Sequence, residues 1–247
     1  MIQLEVCANS LASALAAQEG GAIRVELCEN LSEGGTTPSY GQILMARKLL
    51  KIQLYPLIRP REGDFLYSDI EFEVMKADVN YCIEAGCNGV VIGILNIDGS
   101  IDKRRCLELV KMAKKKGLGV TFHRAFDMCA DLNQALEDII EIGCERILTS
   151  GGKSTAIEGV HVIAHLIEKA AGRISIMPGS GVNESTVADL IHFTKATEIH
   201  SSARATVKSK MEFQNDSIIM SSTYIDEFSI QVTAVQKVKD IIRFANG

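Results

Sequence analysis

Two apolar runs in this chain end alike, Leu4-Glu5-Val6-Cys7 and Val25-Glu26-Leu27-Cys28. Strand side chains alternate faces, so each Glu-x-Cys ending puts a carboxylate and a thiol on one side of an extended segment. Glu5 or Glu26 becomes a candidate general base if burial raises its pKa. His123, in Thr121-Phe-His-Arg-Ala-Phe-Asp127, titrates near neutrality when unperturbed and suits acid–base work. Arg59, Arg61 and Arg124 offer planar guanidinium forks for an anionic substrate. Plainer readings stand beside these. Glu26 and Arg59 on neighbouring strands could form a buried ion pair. An inward His can be a satisfied core residue. Arg61 and Arg124 could pair with Glu62, Asp64 or Asp127 on a solvated rim.

The loops that follow the polar strand ends are rich in glycine and hydroxyl groups. They are Thr149-Ser150-Gly151-Gly152, Pro178-Gly179-Ser180-Gly181-Val182 and His200-Ser201-Ser202-Ala203-Arg204. Glycines let backbone N–H groups approach an anion, and a helix start adds a favourable dipole. Gly179, Ser180 and Gly181, directly before Asn183, read as one half of an anion cup. Ser201, Ser202 and Arg204 read as the other, and Thr149 and Ser150 as a weaker third part. Glycines also serve plain βα turns. Ser-His-Asp triads, nucleophile elbows, P-loops and dinucleotide fingerprints do not occur in the sequence, so no nucleotide cofactor is expected.

Eight β-like runs must position these groups, near 2–7, 23–28, 52–59, 88–94, 118–123, 145–150, 174–178 and 197–201. Between them lie apolar residues at helical spacing, such as Leu132, Ala135, Leu136, Ile139 and Ile140, or Phe72, Met75, Val79 and Cys82. Asp131 with Gln134 and Thr155 with Glu158 read as capping boxes, and Asn183 as a helix cap. Eight strand–helix units in this length predict a (β/α)8 TIM barrel, an α/β fold, as a single domain over 1–247. A doubly wound open sheet is the alternative, but the glycine-rich first turn it favours is absent after Cys7. An irregular segment is expected over 205–228, before a last helix near 230–244. On the alternating strands the apolar face should meet the helices. Glu5, Glu26, Arg59, His123 and His200 then point inward, near the strand ends where barrel active sites are built.

Composition bounds the partners. The net charge is −5 and the basic residues are scattered, which argues against nucleic acid. No long apolar run predicts a membrane span, and the first residues already alternate like a strand, so no secretory signal is expected. The seven cysteines include no C-x-x-C pair, so reduced thiols are expected, most of them small core residues.

Together these motifs resemble the CutC family, named for copper homeostasis. The resemblance rests on the two Glu-x-Cys runs, Gly34-Gly-Thr-Thr-Pro-Ser39, Arg59-Pro-Arg-Glu-Gly-Asp-Phe65, the His123 and Thr149 motifs, Met177-Pro-Gly-Ser-Gly-Val182 and Glu198-Ile-His-Ser-Ser-Ala-Arg204. It implies a cytoplasmic (β/α)8 barrel, often a homodimer, linked to copper tolerance. It also implies Cys7 and Cys28 as Cu(I) ligands. Soft thiolates select Cu(I), and same-face neighbours on paired strands lie roughly 5 Å apart. Met128-Cys129 is a further candidate for the metal. The residues themselves support a second reading, a metal-independent enzyme for a small anionic or phosphorylated substrate. Its catalytic candidates are Glu5, Glu26, Arg59, His123, Arg124 and His200, with the reaction left open among proton transfer, isomerisation and lyase chemistry. A third reading is a scaffold that dimerises through 205–228.

Overall fold

The computed structural model describes residues 1–215, 217–218 and 226–247. Eight short parallel strands ring the molecule: β1 (Gln3–Ala8), β2 (Arg24–Leu27), β3 (Gln53–Pro56), β4 (Gly89–Ile92), β5 (Gly119–Phe122), β6 (Arg146–Thr149), β7 (Ser175–Pro178) and β8 (Glu198–Ser201). They form two four-stranded arcs, β3-β2-β1-β8 and β4-β5-β6-β7. The Ile58 N–H donates to the Val91 carbonyl (2.8 Å) and joins β3 to β4. At the other seam the Ser175 hydroxyl on β7 donates to Glu198 on β8 (2.9 Å). The ring is the (β/α)8 barrel that the strand spacing predicts.

Helices follow the strands: α1 (Leu11–Gly20), α2 (Tyr40–Leu49), α3 (Asp69–Glu84), α4 (Lys103–Lys114), α5 (Leu132–Ile142), α6 (Val160–Ala170), α7 (Val187–Thr194) and α8 (Val235–Asn246). Ser10, Ser39, Ser68, Asp102 and Asp131 each accept a first-turn N–H at a helix start, satisfying donors that have no intrahelical partner. The outward strand residues Leu4, Val6, Val25, Leu27, Leu54, Val120, Phe122 and Ile147 are buried in one core with the helices.

Four expectations about the second half of the chain need correction. Residues 204–208 and 229–233 are not coil and helix. They form an antiparallel pair, β9 (Arg204–Lys208) and β10 (Ser229–Thr233), with Thr206 opposite Gln231. Its side chains are mostly exposed, so no apolar alternation marks it in the sequence. The last helix therefore begins at Val235. Of the expected irregular segment, residue 216 and residues 219–225 lie outside the described residues. The Thr155–Glu158 box closes a turn, and α6 starts later, at Val160. Asn183 likewise caps a turn through the Ser185 N–H (2.9 Å), ahead of α7.

The barrel floor is filled by charge and one aromatic ring. Arg24 bonds both Glu5 and Glu198, and Arg146 bonds Glu198 (2.7 Å). The Tyr55 ring lies beneath both guanidinium groups, with Arg24 Cζ 5.4 Å and Arg146 Cζ 5.8 Å from its centroid. Glycine makes room for that ring. A Cβ on Gly89 would sit 2.2 Å from Tyr55 Cε1, and one on Gly119 would sit 2.2 Å from its hydroxyl. We predict that Gly89→Ala destabilises the protein by about 1–3 kcal/mol, the usual cost of overpacking. Added to Tyr55→Leu, the same substitution should cost much less, because the clash is gone. Urea unfolding of the double-mutant cycle measures this. Additive effects would show that the ring does not set the glycine.

Candidate functional site

A cavity of about 410 Å³ opens above this floor, at the C-terminal ends of the strands. The register between β1 and β2 sets its walls. Glu5 lies beside Arg24, and Cys7 lies beside Glu26. The two Glu-x-Cys runs are therefore staggered by one pleat repeat. The carboxylates and the thiols do not form two matched layers. Glu5 sits in the floor and does not line the cavity, whereas Glu26, Cys7 and Cys28 do.

Cys7 and Cys28 are buried free thiols with their Sγ atoms 3.5 Å apart. The Cys28 thiol also reaches the Ala8 carbonyl (3.7 Å). Contact with Cys28 and burial push the Cys7 thiol well above its ordinary pKa. His200 stands next to Cys7. Its Nδ1 meets Glu5 Oε1 at 2.8 Å, and its Nε2 faces Glu26 Oε2 at 3.4 Å. Burial disfavours the imidazolium, but the bond to Glu5 and the Glu26 charge outweigh it and raise the His200 pKa. Burial tends to neutralise Glu5, but Arg24 and His200 hold its pKa well below the usual carboxylate range. Among the described residues no arginine pairs with Glu26 in that way. Burial lifts its pKa to about 7, with the Glu5 charge adding to the rise and His200 opposing it. The donor atoms of Cys7, Glu26 and His200 all lie within 4.8 Å of one another.

On other walls, Arg59 does not pair with Glu26. Its guanidinium donates to three loop carbonyls, Glu33 (2.9 Å), Gly35 (2.6 Å) and Gly63 (2.8 Å). It therefore clamps the loops after β2 and β3, and its Cζ lies 5.1 Å from the Phe65 ring centroid. His123 packs on the same ring at 5.1 Å. The Ala125 N–H donates to His123 Nδ1 (3.1 Å), so the ring proton sits on Nε2. Burial, helped by the Arg59 charge, drives the His123 pKa down to about 3.

The expected anion cup is divided in the structure. Asp127 already occupies the Thr149–Gly152 turn, accepting from the Thr149 hydroxyl (2.5 Å), the Ser150 N–H (3.0 Å) and the Gly152 N–H (3.0 Å). Arg124 is bound to the same carboxylate (2.8 Å) and to the Ser150 hydroxyl (2.8 Å). Thr149 and Ser150 are fully buried and absent from the cavity wall. Gly179 stands behind His200, where a Cβ would come within 3.2 Å of the His200 Cβ. Ser180, Gly181, Ser201, Ser202 and Arg204 do line the cavity. Ser180 and Ser201 spend their hydroxyls on the Ser154 and Val182 carbonyls (2.8 and 2.6 Å), and Arg204 donates to the Ser202 hydroxyl (3.0 Å). Arg61 stays on the rim with Asp64 and Glu71. Met128 is exposed and, like Cys129, lies off the cavity wall.

Four participants escaped the sequence reading: Arg24, Arg146, Glu198 and Tyr55. Strand alternation already puts Arg24 on the face of Glu26 and Cys28. The pairing across the ring from β6 to β8 is what only the fold supplies.

Residues 2–205 match the CutC family. The chain belongs to the CutC family. A CutC family protein from Bacteroides fragilis is 50% identical over 240 residues, covering 96% of this chain and 95% of the relative. The human copper homeostasis protein cutC homolog is 48% identical over 245 residues, covering 99% of this chain and 89% of the relative. The crystal structure of a CutC protein from Streptococcus agalactiae superposes with a TM-score of 0.77 at 34% identity. It covers 82% of this chain and 99% of that one. Among the described residues, no helix is long and apolar enough to cross a membrane.

His123 gives this site a pH signature. Its pKa is 6.5 ordinarily and about 3 in the fold. Between those values the unfolded chain binds a proton that the native chain refuses, so stability falls as pH drops through this window. We expect the wild type to lose about 2–3 kcal/mol of stability relative to His123→Phe between pH 6 and pH 4. Urea unfolding at both values checks it. A difference independent of pH would mean that His123 is not held neutral.

Proposed function

We propose that this member of the CutC family binds Cu(I) in copper homeostasis, with the Cys7 and Cys28 thiolates as ligands and His200 as third donor. One observation carries the reading: two free thiols, 3.5 Å apart on adjacent strands, face a cavity at the barrel mouth. Soft sulfur ligands favour Cu(I) over harder cations. His200 fits beside them because Glu5 holds its Nδ1 and leaves Nε2 toward Cys7 and Glu26. A carboxylate on the far nitrogen is the usual way proteins orient a metal-binding imidazole. The name of the human relative supports the same role. On this reading the protein works in the cytoplasm, where thiols stay reduced, and as a homodimer.

A second reading makes the cavity a metal-independent enzyme site for a small anionic substrate. Glu26 favours it, as a buried carboxyl with a pKa of about 7 facing the same space as the neutral His123. Two titratable groups driven apart by their environments suit acid–base division of labour.

Titration with Cu(I) under reducing conditions, against a chromophoric Cu(I) chelator, tests the first reading. The wild type should bind one equivalent, and Cys7→Ser with Cys28→Ser should lose it. Unchanged stoichiometry and affinity in the double variant would reject the thiol site.

A further inference from the structure

Arg59 is a buried cation with no carboxylate within ion-pair distance among the described residues. It is 4% exposed, and the partners of its terminal nitrogens are neutral carbonyls. Among the described residues its buried Nε makes no well-formed hydrogen bond; the neutral Tyr67 hydroxyl, also buried, is beside the guanidinium but carries no charge to balance it. Beside the same Phe65 ring, His123 is 5% exposed, and among the described residues its Nε2 has no partner. A buried donor left unpaired costs about 1–3 kcal/mol, and an uncompensated buried charge costs more. A cation without a counter-charge and a donor without a partner, both lining one cavity, call for an acceptor that carries negative charge. Other positive groups at the mouth are already neutralised: Arg124 by Asp127 (2.8 Å), and Lys237 in part by Glu184 (3.9 Å). The exposed Arg204 on the rim adds attraction for an incoming anion.

We propose that Arg59 and His123 form an oxyanion subsite in the cavity, taking the carboxylate or phosphate group of a small molecule. The subsite is separate from the Cys7–Cys28 pair and does not rest on Cu(I) binding; it deepens the second reading by naming the groups that would hold an anionic ligand, without requiring that any reaction follow. The oxyanion accepts from His123 Nε2, and its charge balances the nearby Arg59 guanidinium. The ligand body fills the remaining cavity toward Glu26 and the β7 and β8 loops. Charge-assisted bonds of this kind are stronger than neutral ones, so the subsite should discriminate anions from neutral analogues.

The test is titration of the copper-free protein with succinate, inorganic phosphate and neutral succinamide. Binding is read by calorimetry and by the ¹⁵N shift of His123 Nε2. We expect saturable binding of at least one oxyanion, with the Nε2 resonance moving and succinamide silent. Saturation by succinate alone assigns a carboxylate ligand, and by phosphate alone a phosphorylated one. His123→Phe keeps the ring packing and should weaken binding about tenfold or more. Arg59→Lys should also weaken it while retaining the charge; a circular-dichroism melt checks that each variant folds. Cys7→Ser with Cys28→Ser should leave oxyanion binding intact. The proposal fails if neither oxyanion saturates, if the Nε2 resonance stays still, if folded His123→Phe binds as tightly as the wild type, or if the double cysteine variant loses the anion.

Discussion

The mouth of this barrel depends on the ion pair between Glu5 and Arg24. Both side chains are almost wholly buried, at 1% and 2% exposed. Two charges in such a place are tolerable only together, and removing one partner of a buried pair costs about 3–5 kcal/mol. Arg24 keeps Glu5 ionised despite its burial. The ionised Glu5 in turn fixes Nδ1 of His200 and sets which nitrogen faces the cavity. Glu198 and Arg146 extend the pair to β6 and β8, so the same network closes the floor and orients the residue above it. Tyr55 completes the floor only because Gly89 and Gly119 leave its ring space.

The second constraint is the stagger between β1 and β2. Without it, the two Glu-x-Cys runs would give matching rows of carboxylates and thiols. With it, one carboxylate goes to the floor and is held charged. The other, Glu26, reaches the cavity, level with Cys7, and is driven toward neutrality. A repeated motif thus yields two acids of opposite character. The thiol of the first run then meets the thiol of the second across the strand pair, beside His200.

Much of this was legible in the residues. The eight β runs fell where the strands lie, because apolar alternation and helix caps recur at barrel spacing. The inward set Glu5, Glu26, Arg59, His123 and His200 followed from parity alone, and all five are buried. What parity cannot give is depth and partner. Glu26 and Arg59 looked like neighbours of opposite charge, yet Arg59 turns to the carbonyls of two loops. The Thr149–Gly152 turn looked open to an anion, yet the Asp127 carboxylate from the preceding loop fills it. Asp127 stands in the quoted His123 motif, and its role needed the approach of two loops that the sequence does not encode locally. The β9–β10 pair was hidden because exposed polar strands carry no period of burial.

The central claim, that thiols of the two repeated runs take Cu(I) beside a histidine held by Glu5, is tested most directly by X-ray absorption at the copper edge of the Cu(I)-loaded protein. The account predicts two sulfur scatterers with one nitrogen, and loss of that nitrogen in His200→Ala. A shell of oxygen and nitrogen alone, unchanged in Cys7→Ser with Cys28→Ser, would contradict it.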